Sequence, residues 1–307
     1  MSESLHPGWQ PADEDLRRFR DSQRLAYRCA ETIAAELTPG ITEREVARRM
    51  REVLDAEGAE DCLHEPFAWF GDRTAFRGLI AVSQLRGFNP AFFPGSRRLE
   101  EGMPFILDCA PTVHGYTADI GYSGVLGENR ILDRLMDDLL EYRVLILDRV
   151  RRRETLAEIS RAVDRLCTRH GYEPRHKAYP FEVLAHRVER ISDDGKAKSS
   201  HPSLARFGLR NVAELARDAI RGRKEGWSPL WNSSARSEHP PTSGLWAVEP
   251  HLGFRSVGAK FEELLVVTET DAYWLDDDVP HVRRWIARGL WPAKANKESG
   301  EVTKVAA

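Results

Sequence analysis

Four acidic residues stand inside otherwise apolar, strand-like runs, and no other feature of the 307-residue chain limits its fold as much. Asp108 closes Phe105-Ile106-Leu107. Asp119 follows Gly115-Tyr116-Thr117-Ala118 and precedes Ile120. Glu249 follows Leu245-Trp246-Ala247-Val248, and Glu262 lies in Lys260-Phe261-Glu262-Glu263-Leu264-Leu265. One such acid is at home on the solvent face of an amphipathic strand. That account weakens for all four together, because a buried carboxylate is costly unless it is paired or bound to a metal.

Helical periodicity frames these runs. Leu16, Phe19, Leu25, Cys29, Ile33 and Leu37 share one face of a helix expected over 13–37, which Pro39-Gly40 ends. Thr42 and Glu45 form a capping box for a second helix reaching about residue 56. Helices are also expected over 129–153, 156–170 and 282–290. Residues 104–109 and 116–125 read as a hairpin, and 246–250 and 260–268 as strands. The polar stretch 192–241 reads as an insertion with a helix over 211–223. The result is an N-terminal extension (1–12), a single α+β domain (13–291) and a flexible tail (292–307).

Composition excludes several function classes. The 45 basic and 48 acidic residues give a formal net charge of −3, so no basic field marks a nucleic-acid partner. No segment approaches the roughly 20 apolar residues of a membrane helix. Residues 1–10 lack a signal-peptide pattern, and the expected location is the cytoplasm. Cys29, Cys62, Cys109 and Cys167 are scattered without zinc-site spacing, as reduced thiols would be.

The acidic runs resemble the pita-bread metallohydrolases, the family of methionine aminopeptidase, Xaa-Pro aminopeptidase, prolidase and creatinase. Leu37-Thr38-Pro39-Gly40-Ile41-Thr42-Glu43 matches that family's Leu-x-Pro-Gly-x-Thr-Glu opening, and Gly115-Tyr116-Thr117-Ala118-Asp119-Ile120 its Gly-Tyr-x-x-Asp-Ile. Glu249-Pro250 matches its Glu-Pro after a Gly-led strand. Gly258-Ala259-Lys260-Phe261-Glu262-Glu263 is similar to its Gly-Val-Arg-Ile-Glu-Asp, and Ala185-His186-Arg187-Val188 stands where its histidine ligand lies. The resemblance covers about residues 13–285. It implies a curved antiparallel sheet flanked by helices. It also implies two divalent ions (Mn, Co, Fe or Zn) held by Asp108, Asp119, His186, Glu249 and Glu262, with Asp119 and Glu262 bridging. Their expected chemistry is hydrolysis of a C–N bond in a small molecule or dipeptide of the Xaa-Pro type, a metal-bound hydroxide attacking and Glu262 carrying the proton. A homodimer is the expected assembly. The competing readings are a creatinase-like hydrolase or lyase acting on an unusual small molecule, and a binding protein that has lost its metals.

The chain also departs from the family's peptidases, which carry two metal-free histidines. No histidine lies between His64 and His114, and the residue seven after His186 is Asp193. Substitutes are expected from the insertion, with His239 and His201 as proton donors. Arg73 and Arg77 are expected to hold a substrate carboxylate, and Trp69, Trp227 and Trp231 to wall the site. His251, two residues past Glu249, is expected to support the metal ligands from behind.

Overall fold

The computed structural model describes residues 9–77, 93–188, 190 and 227–291. The expected helix over 211–223, the tail over 292–307, His201 and most of the insertion lie outside the described residues.

Two helices open the chain, α1 (Asp13–Ala35) and α2 (Glu43–Ala56). Thr42 Oγ1 accepts from the Glu45 N–H and Glu45 Oε2 accepts from the Thr42 N–H, so the capping box closes as the sequence suggests. Strands β1 (Asp61–Cys62) and β2 (Phe67–Phe70) precede a hairpin region of β3 (Pro104–Cys109), β4 (Pro111–Val113), β5 (Tyr116–Thr117) and β6 (Ile120–Val125). The single hairpin expected there carries a smaller one at its tip. Its turn is His114-Gly115, both at positive φ, as a tight β-turn requires.

Two further helices follow, α3 (Arg130–Arg151) and α4 (Leu156–His170), and then β7 (Glu173–Pro174), β8 (Ala185–Val188), β9 (Leu230–Trp231), β10 (Gly244–Val248), β11 (His251–Phe254), β12 (Val257–Lys260), β13 (Glu263–Val267) and β14 (Ala272–Trp274). Helix α5 (Pro280–Ala287) closes the described chain. Each half thus repeats the order of two helices followed by strands. The architecture is the α+β arrangement of antiparallel sheets flanked by helices expected of a pita-bread fold.

Strand pairing sets the site. The sheet β2-β3-β6 and the sheet β14-β13-β10-β8-β9 are both antiparallel. Strand β3 is buried along its whole length, flanked on both edges, which explains its unbroken apolar run. The continuous strand expected over 260–268 is split. Strand β12 ends at Lys260, β13 begins at Glu263, and between them Glu262 makes a lone bridge to Gly121 of β6. That bridge joins the two sheets at the point where the acids collect. Apolar residues of α1, α2, α3, α4 and α5 form one buried core with the backs of the sheets.

Candidate metal centre

All four acids meet at this seam, each from a different strand or strand end. In the β3–β6 register Asp108 lies opposite Gly121, and Asp119 immediately precedes β6. His186 on β8 lies opposite Ala247 on β10. Glu249 follows β10, its N–H donating to the Leu184 carbonyl at 2.9 Å. Alternation along an extended chain puts Lys260 and Glu262 on one face and turns Glu263 to the other. Accordingly Glu263 is buried against Arg143, whose Nε donates to its Oε1 at 2.6 Å, and against His281 at 2.9 Å. Glu262, not Glu263, faces the site.

The donor atoms form two groups that share Asp119. His64, Asp108 and Asp119 offer ligand atoms within 4.8 Å of one another, and so do Asp119, His186 and Glu262. His64 Nε2 lies 3.3 Å from Asp108 Oδ1 and 3.2 Å from Asp119 Oδ1. His186 Nε2 lies 3.4 Å from Asp119 Oδ2 and 3.6 Å from Glu262 Oε1. Both rings have Nδ1 against a main-chain carbonyl, that of Glu65 at 2.9 Å and of Arg187 at 3.2 Å. This is how a second partner orients a metal-ligating imidazole, with Nδ1–H donating and the Nε2 lone pair aimed at the ion. Nε2 between two carboxylates carries either a proton or a cation, so both groups have the donor chemistry to hold a divalent ion.

A third set of contacts belongs to Lys260. Its Nζ lies 2.5 Å from Asp108 Oδ2, 2.8 Å from Glu262 Oε2 and 3.0 Å from Glu249 Oε2. The backbone of Lys260 is fixed by Ser123, whose Oγ accepts from its N–H at 2.9 Å and donates to its carbonyl at 2.8 Å. Behind the ammonium stands the Tyr179 ring, 5.6 Å away. Tyr179 O–H donates to His251 Nδ1 at 2.7 Å, and His251 Nε2–H donates to the Thr74 carbonyl at 2.8 Å. His251 therefore supports the site from behind, through Tyr179.

Burial and the crowding of charge shift several of these groups. Burial pushes the Asp108 carboxyl up to about 7, with Glu262 and Asp119 adding and Lys260 opposing. Burial and Glu262 together push Glu249 up to about 8. Burial also acts on Asp119, but the His64 and His186 contacts outweigh it and hold that carboxyl below the usual range. Burial works against the charged form of His64, yet Asp119 and Asp108 carry it up to about 10. Burial works in the same way on Lys260, and the surrounding carboxylates hold it well above the usual lysine value.

Several expected site residues are placed elsewhere. His239 has both ring nitrogens on main chain: its Nε2 accepts from the Ser228 N–H at 2.7 Å and its Nδ1 donates to the Pro240 carbonyl at 2.8 Å. Its segment is tied to α4, since the Leu156 N–H donates to its carbonyl and Arg161 pairs with Glu238. Arg73 pairs with buried Glu43 at 2.8 Å and donates to the Phe93 carbonyl. Exposed Arg77 donates to the Arg255 carbonyl. Trp69 is wholly buried, stacked on Phe76 with centroids 4.9 Å apart. Trp231 belongs to edge strand β9 and packs on Trp246, and Trp227 is buried beside the Arg187 guanidinium. The end of the expected insertion is thus part of the sheet. Sequence reasoning missed His64 and Lys260. The signal for His64 was its place just before Phe67-Ala68-Trp69-Phe70, the strand that pairs with the Asp108 run.

Comparison with known proteins places this geometry. The chain resembles the X-Pro aminopeptidase of Thermotoga maritima (16% identity, TM-score 0.62, 89% of this chain and 63% of that one). It also resembles a dipeptidase of Pyrococcus horikoshii (18%, 0.61, 87% and 61%) and the prolidase of Pyrococcus furiosus (18%, 0.59, 87% and 64%). An uncharacterized peptidase of Staphylococcus aureus is 22% identical over 185 residues, 59% of this chain and 49% of that protein. The chain therefore spans about half the length of the curated relatives it matches and less than two-thirds of these solved chains. The family model of the M24 metallopeptidases matches residues 17–269, and with its acids and histidines gathered at the seam the chain belongs to metallopeptidase family M24.

Proposed function

We propose that this chain hydrolyses a C–N bond, amide or peptide, in a small substrate of the Xaa-Pro dipeptide type, using two divalent cations. The observation that carries the reading is the pair of donor groups sharing Asp119. Mn, Co, Fe and Zn all suit such a mixed carboxylate and imidazole set. When bound, the ions would polarise the scissile carbonyl and lower the pKa of a water.

The chain's own residues supply the rest. Asp108, Asp119, His186, Glu249 and Glu262 would hold the ions at the seam, and the Glu65 and Arg187 carbonyls orient the His64 and His186 imidazoles. Glu262 is the carboxylate proposed to carry a proton from the attacking water towards the leaving nitrogen. Among the described residues no helix is long and apolar enough to cross a membrane. Residence in the cytoplasm and assembly as a homodimer belong to this proposal.

A second reading, hydrolysis or elimination on an unusual small molecule, draws support from the position of His239. The peptidases' metal-free histidines have no replacement there, because both nitrogens of that ring are engaged with main chain. A panel of Xaa-Pro dipeptides and small amides, assayed on protein loaded with Mn or Co, separates the two. Turnover of dipeptides supports the first reading. Turnover of small amides alone, with dipeptides inert, supports the second.

A further inference from the structure

The segment from Tyr179 to His186 touches the metal centre at three points. At one end the Tyr179 ring faces Lys260 Nζ at 5.6 Å, and its hydroxyl donates to His251. Towards the other end the Leu184 carbonyl accepts from the Glu249 N–H at 2.9 Å, and the segment closes on His186 itself. Its middle leaves the regular conformations. Phe181 has φ 63° and ψ 13°, and Glu182 has φ 54°. They are the one adjacent pair of non-glycine residues in the left-handed region among the described residues. A Cβ is crowded by the following carbonyl there, so each residue adds strain.

The surrounding structure holds the pair in place. Asn232 Nδ2 donates to the Phe181 carbonyl at 3.0 Å, and Asn232 is itself fixed by the Ser234 and Ser237 hydroxyls, which donate to its Oδ1 at 2.6 and 2.9 Å. The Glu182 N–H donates to the Tyr179 carbonyl at 3.0 Å, and the Leu184 N–H to the Trp231 carbonyl at 2.8 Å. On either side of the pair the apolar side chains turn inward. Tyr179 and Val183 are buried in one cluster with Trp69, Phe76 and Leu230. Phe181 is the exception. It is 46% exposed, the one exposed Phe, Tyr or Trp among the described residues. An exposed ring adds little to the core, and Gly or Asn would hold the same turn with less strain. Strain that the neighbouring structure maintains beside a site points to a contact with ligand.

We infer that Phe181 is a specificity-determining residue: its ring, five residues before His186 at the rim of the metal centre, packs on an apolar side chain of the substrate's Xaa residue. The left-handed turn is the device that presents it. The inference rests on the metal-dependent reading above and deepens it, since it names the substrate class as small Xaa-Pro molecules whose Xaa side chain is apolar.

The test is steady-state kinetics on the whole Mn-loaded chain with Leu-Pro and Gly-Pro as substrates, beside urea unfolding of each variant. Phe181→Asn and Phe181→Gly remove the ring and suit the left-handed turn. Both are expected to match or exceed the wild-type urea midpoint, because the turn is no longer strained. In both, KM for Leu-Pro is expected to rise at least about tenfold with kcat little changed, the mark of a lost apolar binding contact. Gly-Pro offers no Xaa side chain to the ring, so its KM is expected to stay within about threefold of wild type. A KM for Leu-Pro that stays at the wild-type value, or an equal rise for both dipeptides, overturns the inference. A lower urea midpoint in both variants, with both dipeptides affected alike, gives the turn a structural role and also overturns it. Wild type that turns over neither dipeptide fails the parent reading instead, which keeps the two failures distinct.

Discussion

Gly121 and Lys260 are complementary across the sheet seam, the missing side chain of one making room for the stem of the other. A Cβ on residue 121 would sit 2.2 Å from Lys260 Cε and 3.1 Å from its Cδ. Gly121→Ala must displace a buried, ion-paired side chain, and an overpacked core typically loses ~1–3 kcal/mol. The expected outcome is a lower urea midpoint, largely restored in the Gly121→Ala/Lys260→Ala double variant relative to Lys260→Ala alone. Additive losses, measured by a double-mutant cycle, would contradict the contact.

The buried pair on the other face of β13 is structural. Arg143 Nε and Nη2 grip Glu263 at 2.6 and 3.1 Å, Nη2 also reaches Asp277 at 2.9 Å, and His281 closes the set. Arg143→Met leaves Glu263 buried beside a single imidazole. Removing one partner of such a pair costs ~3–5 kcal/mol. Chemical denaturation is expected to show a loss of that size. A change below about 1 kcal/mol, the range of an exposed pair, would contradict it.

Asp164 gives a pH-dependent contribution outside the site. Burial raises its carboxyl pKa, but His176 at 3.2 Å and Lys177 at 3.1 Å bring it below the usual 3.8. The unfolded chain therefore takes up the proton first as pH falls. The stability Asp164 adds is complete above about pH 4 and is lost as pH falls through the lower folded value. Urea midpoints of wild type and Asp164→Asn are expected to differ near neutrality and to converge in acid. A gap that widens as pH falls would reverse the sign.

Local signals were legible in the sequence and long-range ones were not. The capping box Thr42/Glu45 and the periodic apolar residues of α1 show the early helices directly, because the interactions that make them lie within a turn or two. Asp108, Asp119, Glu249 and Glu262 stood out by their apolar flanks, and their meeting at one site was implied by the family resemblance. Where β12 ends was not legible, because the break at Phe261-Glu262 is imposed by the bridge from Glu262 to Gly121 on another sheet. His64 was passed over because only the pairing of β2 with β3 brings it beside Asp108. The stacking of Trp69 on Phe76 and the pairing of Arg73 with Glu43 were not legible either, because both contacts are made across separate elements.

The central claim is that Asp119 anchors a pair of divalent cations, one oxygen towards His64 and the other towards His186. Elemental mass spectrometry on Mn-loaded, desalted protein tests it most directly, with Asp119→Asn as the near-isosteric control. The account predicts about two ions per chain in wild type, as a two-metal site holds, and their loss in the variant. Wild type that retains no metal after loading, or an Asp119→Asn variant that retains as much as wild type, would contradict it.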